Sequence, residues 1–427
     1  MNDWHPQRRG QSCEGSDVAP QDRIPGFPFR PSTHPLGLSA EGTALSRHGP
    51  VSPVRLPGGQ DAWFVTGHRA CQEVFRDEAA FRRGDADAIA PFPALQGLVL
   101  VLDGPEHRGV RRLVSDRFTP AAVEPLRPRV RRVADRLVDG IAAHGGPVDL
   151  VAALALPLPL TVIGDLMDVP EKDRDRLRYW GDGLLSPGGG GAAAQAATTA
   201  IVGYMAALLA ERRADPGDDL VSLIAVRARE AGIDDLPAAL LAVALIVAGW
   251  ETTAGALATF VYTLLTERHP DGGTLYRFLH EHPEHVPSAV EELLRFLPNS
   301  VYAAAQPRRA ACPVDLGGTA VAAGDVVIPA LDHAGRDPAE FPDPERLDLT
   351  RTPNRHLAFG LGPHVCLGAA LARQELQVAL AALTRRLPDL ELAVPPGELD
   401  WTPETMIRRP RALPVRWKGA MERCEGR

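Results

Sequence analysis

The sequence has few cysteines and none of the spacings that build disulfide frameworks or zinc sites. Its five cysteines are widely spaced, odd in number and include no CxxC pair: Cys13, Cys71, Cys312, Cys366 and Cys424. Covalent cross-links are therefore not expected to hold the fold together. The pattern is typical of a protein kept in a reducing cytosol.

The sequence also lacks an apolar segment that we expect to cross a membrane. The opening residues, MNDWHPQRRG, are polar and charged, unlike the apolar core of a signal peptide. The longest apolar run ends at Trp250 and is followed at once by Glu251, short of the roughly 20 residues that span a bilayer. These features predict a cytoplasmic protein with no membrane anchor.

Positive charge is not in surplus. The 46 Lys and Arg residues are outnumbered by 54 Asp and Glu residues, which gives a formal net charge of -8. Nucleic-acid binding requires positive charge to neutralise phosphates, so the composition argues against that class of function. Apolar residues make up 45% and charged residues 23% of the 427 positions, as in an ordinary folded chain.

The pattern along the chain predicts one mainly α-helical domain with small β-sheets. Residues 1–30 are polar and proline-bearing, which predicts a flexible arm, and residues 31–427 are assigned to the domain. Short strands are predicted around the turn Pro57-Gly58-Gly59 and between Val314 and Ile328. Apolar residues recur at helical spacing in seven stretches: 106–118, 121–144, 149–167, 192–214, 218–230, 236–267 and 367–386.

One segment carries the strongest chemical signal: Phe359-Gly360-Leu361-Gly362-Pro363-His364-Val365-Cys366-Leu367-Gly368. Its glycines allow backbone conformations and close approaches that a flat ligand lying over the loop requires. Cys366 lies at the start of the predicted helix 367–386, whose unpaired N–H groups and positive dipole end favour a thiolate. A lone cysteine is more often a small buried core residue, so these surroundings are what favour a functional role.

The segment resembles the haem-binding signature of the cytochrome P450 family, in its soluble, bacterial, actinobacterial-like class. The resemblance implies the cytochrome P450 fold, a single triangular-prism-like domain, and haem b bound through Cys366 as the axial ligand of iron. It further implies that Phe359 packs near the sulfur, that Gly368 lies against the haem and that His364 approaches a propionate. A thiolate ligand favours cleavage of the O–O bond on haem iron.

Further positions match the family in the expected order. His107 and Arg111 are four residues apart on a predicted helix, so they project from one side. By resemblance they contact haem propionates, a task that suits the planar fork of arginine. Arg308 and His356 match two further propionate contacts, with Arg309 as the alternative to Arg308 if the alignment shifts by one residue.

A motif of the ExxR type also matches. Glu292 and Arg295 lie three residues apart on a predicted helix, share a face and can pair. By resemblance, Arg346 is the third member of a buried charge network that holds the core on the haem side. Buried charges are costly unless they are fully paired, so the expected role of this trio is architectural.

The long predicted helix 236–267 contains the candidate proton-delivery residues. Ala248 and Thr252 are four residues apart and share a face, whereas Trp250 points away from it. A mid-helix threonine can turn its hydroxyl onto the carbonyl one turn back and loosen the helix locally. By resemblance, Glu251 and Thr252 are the acid and the alcohol that deliver protons to iron-bound dioxygen. The candidate substrate contacts are Leu245, Ala248, Ser300, Val301, Met406 and Ile407.

The resemblance implies a monooxygenase that uses O2 to hydroxylate or epoxidise a small molecule. The candidate pocket is mostly small or aliphatic, which favours an apolar, fairly bulky substrate. We expect a tailoring step in natural-product or antibiotic biosynthesis, on a substrate that is free or carrier-bound. Because no flavin or nicotinamide domain is recognised, electrons are expected from a separate ferredoxin and its reductase.

Two alternative functions remain open at this stage. The same haem chemistry also serves oxidative ring closure or coupling, which removes two hydrogens from the product instead of adding an oxygen. A non-catalytic haem sensor is the alternative from another class of protein, and the acid–alcohol pair Glu251 and Thr252 disfavours it.

Overall fold

Helices dominate the computed structural model, which describes residues 24–32, 34–84, 98–185, 192–297, 307–402 and 407–418. Short 3₁₀ turns and one π-helical turn join several of the helices. The α-helices within the described residues are α1 Ala40–His48, α2 His68–Arg76, α3 Gly104–Arg112, α4 Pro120–Val123, α5 Arg127–His144, α6 Pro157–Leu166, α7 Glu171–Leu185, α8 Ala192–Ala214, α9 Leu220–Glu230, α10 Asp235–Thr266, α11 Leu275–Glu281, α12 Val286–Phe296, α13 Leu331–Ala334 and α14 Ala369–Arg386.

The strands are short and form small sheets beside the helices. One sheet has five strands in the order β1-β2-β8-β5-β3, in which only the β2–β8 pair is parallel. The others are a three-stranded sheet, β4-β10-β9, and the hairpin β6-β7. Their bounds are β1 Val51–Arg55, β2 Asp61–Val65, β3 Phe81–Arg82, β4 Val148–Asp149, β5 Arg308–Ala310, β6 Val314–Leu316, β7 Thr319–Val321, β8 Val326–Pro329, β9 Glu391–Leu392 and β10 Pro414–Arg416.

The helix α10 is the centre of the main hydrophobic core. At about 1.5 Å per residue its 32 residues extend for roughly 48 Å. It packs against α6, α8, α9, α11 and α14. A helix that is apolar on nearly all sides is stable only when protein surrounds it, which is the situation of α10.

Two described helices, α8 and α10, are long and apolar enough to cross a membrane, or three if the bent pair formed by residues 151–166 and α7 counts as one span. The sequence argument that no apolar segment reaches this length was therefore wrong for both. In α10, 72% of the most apolar window is buried inside the protein, which explains its hydropathy by packing in the core. In α8 the corresponding share is 28%.

Most predicted elements are present with small shifts at their ends. The predicted helices 192–214, 218–230, 236–267 and 367–386 correspond to α8, α9, α10 and α14. The strands predicted around Pro57-Gly58-Gly59 are β1 and β2. The predicted helix 106–118 instead ends at Arg112 and continues as a 3₁₀ turn. The sequence pattern did not predict α1, α2, α7, α11 and α13, which are short or strongly polar.

The predicted boundary of the N-terminal arm, after residue 30, lies too far along the chain. Phe27 is buried and its N–H donates to the carbonyl of Arg55, while the Arg55 N–H donates to the carbonyl of Pro25. The rings of Phe27 and Phe29 also pack on Phe64 of β2. Residues 25–29 therefore belong to the folded domain.

A buried carboxylate joins α12 to the segment that follows α13. Glu292 and Arg295 form a two-pronged ion pair with N–O distances of 2.7 Å, and both side chains are 0% exposed. Arg351 Nε lies 3.1 Å from Glu292 Oε2, and Asn354 donates to the same oxygen at 3.0 Å. The Asp348 N–H donates to Oε1 at 2.9 Å. This set of donors meets the requirement that a buried charge be fully paired.

The predicted third member of this network, Arg346, is wrong as a side-chain assignment. Its guanidinium is 61% exposed and lies near Asp348, and only its backbone carbonyl enters the network by accepting from Arg295 at 3.1 Å. Arg351 supplies the missing cation, with a side chain that is 10% exposed. The chain turns between these two residues, so the carbonyl of one and the guanidinium of the other face the same buried pair.

This assignment predicts different stabilities for two single substitutions. Arg351→Gln removes one cation from a buried carboxylate, so the free energy of unfolding is expected to fall by about 3 kcal/mol. Arg346→Gln changes an exposed side chain and is expected to alter it by less than about 0.5 kcal/mol. Urea denaturation followed by far-ultraviolet circular dichroism measures both. Equal losses in the two variants would contradict the assignment of Arg351.

Candidate active site

The loop before α14 is shaped by two glycines with left-handed backbone conformations. Gly360 has φ +67° and Gly362 has φ +71°. A Cβ atom on Gly362 would lie 2.2 Å from the carbonyl oxygen of Phe75 on α2, so only glycine fits there. The Cys366 N–H donates to the carbonyl of Phe359 at 2.8 Å, which closes the loop on itself.

Gly368, the N-cap of α14, differs from the other two glycines. Its φ is -82°, and a Cβ atom there would meet no protein atom within 4 Å. Neither strain nor packing within the described protein requires a glycine at this position. The open space above Gly368 fits the prediction that a flat ligand lies against it.

The thiol of Cys366 has accessible surface, although many protein atoms surround it. Burial raises its pKa, while a backbone hydrogen bond with Gly368 and the charges of Arg111 and Arg373 lower it by less. The sequence argument expected the start of α14 to favour a thiolate, but in the protein by itself burial outweighs these contributions. Bonding to a metal ion would supply the remaining stabilisation of a thiolate.

Five residues are predicted to contact the propionates, and four of them lie together: His107, Arg111 and Arg308 are close to His364. His107 is 1% exposed, and its ring stacks on that of His364 with centroids 4.0 Å apart. Burial, and then the charges of His107, Arg308, Arg83 and Arg111, lower the pKa of His364 to about 2. Arg111 also donates a short hydrogen bond to the carbonyl of Val365. We call His107, Arg111, Arg308 and His364 the cationic cluster.

The cationic cluster fits the carboxylates of a haem. Burial and then the charge of Arg83 lower the pKa of Arg308 well below its ordinary value, against the opposing charge of Asp103. Among the described residues, His107 Nδ1 and His364 Nε2 are buried without a hydrogen-bond partner, although Asp103 Oδ1 lies 3.4 Å from His364 Nε2. Buried ring nitrogens without a hydrogen-bond partner are costly, and the carboxylates of two propionates would accept from them beside the guanidinium groups of Arg111 and Arg308.

His356, the remaining predicted propionate contact, lies in a different network. Its Nδ1 accepts from the Ala358 N–H at 3.1 Å, so its Nε2 carries the proton and donates to Glu291 at 3.0 Å. Burial alone would raise the pKa of Glu291, but hydrogen bonds from His356 and Arg373 lower it to about 2. Because both ring nitrogens are used, His356 supports α12 and α14, and its prediction as a propionate contact was wrong.

An accessible strip interrupts the buried surface of α10. Between Leu241 and Leu265, every residue is buried except Leu245, Ala248, Gly249 and Thr252. Leu245, Ala248 and Thr252, which are three and four residues apart, share one face of the helix. The Thr252 hydroxyl donates to the Ala248 carbonyl at 2.6 Å, as expected. Trp250 is buried on another side, where a Cβ atom on Gly181 of α7 would lie 2.9 Å from its ring.

Glu251, next to Thr252, is 3% exposed and faces the protein interior. Its Oε1 accepts from Arg409 Nε at 3.1 Å, and among the described residues its buried Oε2 has no hydrogen-bond partner. Burial raises the pKa of Glu251, against the opposing effect of Arg409. Sequence reasoning missed Arg409. The available signal was a single carboxylate inside an apolar helix, because such a group requires a cation elsewhere in the fold.

The predicted substrate contacts are only partly described. Leu245 and Ala248 lie on the accessible strip of α10. Ile407 is 5% exposed, so it offers little surface to a ligand. Ser300, Val301 and Met406 lie outside the described residues.

The two kinds of glycine in the loop predict two different defects. Gly362→Ala places a methyl group against the Phe75 carbonyl at a strained φ, so we expect a lower melting temperature both with and without haem. Gly368→Ala meets only open space, so we expect an unchanged melting temperature without haem but weaker haem binding. Calorimetry and haem titration of the haem-free proteins separate these effects. Equal haem affinity in Gly368→Ala and the parent would contradict the placement of haem against Gly368.

Comparisons with known proteins cover most of the chain. The family described as Cytochrome P450 matches residues 284–406. The mycinamicin IV hydroxylase/epoxidase of Micromonospora griseorubida is 43% identical over 397 residues, which cover 92% of this chain and 98% of that protein. The nocardicin C N-oxygenase of Nocardia uniformis is 41% identical and the match covers 86% of this chain and 92% of that protein.

A solved structure extends the similarity to three dimensions. The LnmA cytochrome P450 hydroxylase from the leinamycin biosynthetic pathway of Streptomyces atroolivaceus superposes with a TM-score of 0.85 at 37% identity. The match covers 92% of this chain and all of that chain. With a Cys366 loop, a cationic cluster and an accessible strip on α10 of the kind that the sequence resemblance implied, this chain belongs to the cytochrome P450 family.

Proposed function

We propose that this protein is a haem-thiolate monooxygenase that adds one oxygen atom from O2 to an apolar small molecule, as a tailoring step in natural-product or antibiotic biosynthesis. The observation that carries the proposal is the accessible Cys366 thiol in a glycine-shaped loop, beside a buried cationic cluster suited to carboxylates. The relatives named above are hydroxylases, an epoxidase and an N-oxygenase, which supports oxygen insertion over oxidative coupling.

Each part of the site has a separate task in this proposal. Cys366 would bind the iron of haem b, and the cationic cluster would bind the propionates. Bound haem supplies the redox and oxygen chemistry, for which a thiolate ligand is suited. The protein's own task is to hold the substrate, exclude water and supply protons at fixed positions.

The two faces of α10 would have different roles in catalysis. Leu245 and Ala248 present apolar surface on the accessible strip, where an apolar substrate would lie. Thr252 has its hydroxyl on the same strip and would orient and pass a proton there. Glu251 lies on the buried side and would supply that proton through its Oε2.

Electrons and location follow from the family. We propose that a ferredoxin and its reductase donate the electrons and that the protein works in the cytoplasm. The substrate is free or tethered to a carrier protein. An acidic net charge of -8 does not prevent docking of a ferredoxin, because exposed arginines provide local positive charge.

The proposal predicts a haem spectrum that responds to substrate. Titration of the purified protein with macrolide, terpene, aromatic and peptide metabolites is expected to shift the Soret band to the high-spin position for one class, because a bound apolar compound expels water from iron. Mass spectrometry of the product then distinguishes a gain of one oxygen from a loss of two hydrogens. A protein that takes up no haem after reconstitution would contradict the proposal.

The role of Thr252 predicts uncoupling in one of two matched variants. Thr252→Ala removes the hydroxyl, so the product formed per reducing equivalent is expected to fall roughly tenfold or more while reducing equivalents are still consumed. Thr252→Ser keeps a hydroxyl and is expected to retain most of the coupling. Product and peroxide are measured together against nicotinamide oxidation with the compound that shifts the Soret band. Unchanged coupling in Thr252→Ala would exclude Thr252 from proton delivery.

A further inference from the structure

The guanidinium of Arg409 faces the carboxylate of Glu251. Arg409, which lies shortly before the last strand β10, donates from Nε to Glu251 Oε1 at 3.1 Å. The two side chains are only 13% and 4% exposed. Their positions are 158 residues apart in the sequence, so the contact is made by the tertiary fold alone.

The backbone around Arg409 is held in place from several directions. The Thr402 N–H donates to the Arg409 carbonyl at 3.0 Å, and the Thr402 hydroxyl is within hydrogen-bonding distance of the Arg409 N–H at 3.3 Å. The hydroxyl of Thr259 on α10 donates to the carbonyl of the preceding residue, Arg408, at 3.3 Å. A second edge of the guanidinium donates from Nη1 to the Pro410 carbonyl at 3.3 Å. The cation is therefore fixed on a support that is itself anchored to α10.

The arrangement treats the two oxygens of Glu251 differently. Oε1 is occupied by Arg409, whereas the buried Oε2 has no hydrogen-bond partner among the described residues. A carboxylate held by one oxygen keeps a fixed orientation and leaves the other oxygen to accept and release a proton. An acid that hands on protons requires such a defined orientation as well as a suitable pKa.

We propose that Arg409 is a positioning residue for proton delivery, which holds Glu251 by Oε1 so that Oε2 carries the transferred proton. This inference rests on the proposed function, in which Glu251 is the acid. It adds a residue from the C-terminal part of the chain that neither Cys366 nor the accessible strip of α10 indicates.

The charges around the pair explain why a cation is required there. Burial raises the pKa of Glu251, and Asp182 on α7 adds to this effect, while Arg409 and the more distant Arg178 oppose it. Without Arg409, burial and Asp182 would leave Glu251 protonated over a wider range of pH. The planar Nε–H of arginine also fixes direction, which the point charge of a lysine does not.

The test compares Arg409→Gln and Arg409→Lys with the parent enzyme and with Arg416→Gln, all in the haem-loaded form. Arg416 lies on β10 and forms an exposed pair with Glu391, so its substitution controls for loss of a nearby arginine. The carboxylic-acid carbonyl band of Glu251 is followed by infrared difference spectroscopy across pH and is assigned by its absence in Glu251→Gln.

We expect the midpoint of this band to rise by about one pH unit or more in Arg409→Gln, since an opposite charge at this distance stabilises the carboxylate. Arg409→Lys should give a smaller rise, and it serves as the informative variant if Arg409→Gln does not fold. Arg416→Gln should match the parent. A midpoint that is the same in the parent and in every folded Arg409 variant would overturn the proposal.

Turnover gives a second and independent readout. With the compound that shifts the Soret band, O2-driven product formation should fall roughly tenfold in Arg409→Gln, whereas peroxide-driven turnover, which receives its protons with the oxidant, should change little. Equal losses in both reactions would mean a general structural role and would overturn the proposal. If Glu251→Gln leaves O2-driven turnover unchanged, the proposed function of Glu251 fails, and the infrared midpoints still decide whether Arg409 controls its charge.

Discussion

The Glu292 carboxylate is the point at which α12 is joined to the chain that leads into the Cys366 loop. It accepts hydrogen bonds from Arg295 on its own helix and from Arg351 and Asn354 in the later segment. Removing one partner of a buried charge costs several kcal/mol of stability. The donors of the later segment must therefore lie where they reach Glu292, which fixes the course of that segment beside α12. The adjacent Glu291 likewise accepts a hydrogen bond from Arg373, which joins α12 to α14. The loop that holds Cys366 is thus fixed at both ends by carboxylates of one helix.

The cationic cluster shows the opposite electrostatic condition. Its members bring positive charge and basic nitrogens together in a buried place, and the pKa of His364 is lowered to about 2 as a result. Two of its ring nitrogens, His107 Nδ1 and His364 Nε2, have no hydrogen-bond partner among the described residues, and a ligand with two carboxylates would supply acceptors for them. A ligand that binds the folded chain and not the unfolded chain also stabilises the fold, because it shifts the folding equilibrium towards the native state.

Neighbouring residues of α10 face different surroundings because a helix turns by about 100° per residue. Thr252 lies on the accessible strip, whereas Glu251 lies on the buried side beside Arg409. An acid kept out of the substrate's space can have its charge set by protein groups alone. Thr252, the next residue, instead carries its hydroxyl on the accessible strip.

The sequence by itself determined the family, the position of α10 and α14, the glycine-dependent Cys366 loop and the shared face of Ala248 and Thr252. All of these depend on residues within a few turns of one another, where periodicity and backbone sterics act. Only the tertiary structure decided which groups pair across the fold. Arg351, and not Arg346, pairs with Glu292, 59 positions away in the sequence. His356 pairs with Glu291, 65 positions away, and Arg409 with Glu251, 158 positions away.

The pKa of the Cys366 thiol likewise depends on the tertiary structure, because burial, a property of the whole fold, raises it by more than the local effects at the start of α14 lower it. The local sequence pattern determines which reactive groups the chain presents. The long-range packing of charges fixes how each group is held, since the partner of a buried charge is chosen by proximity in space.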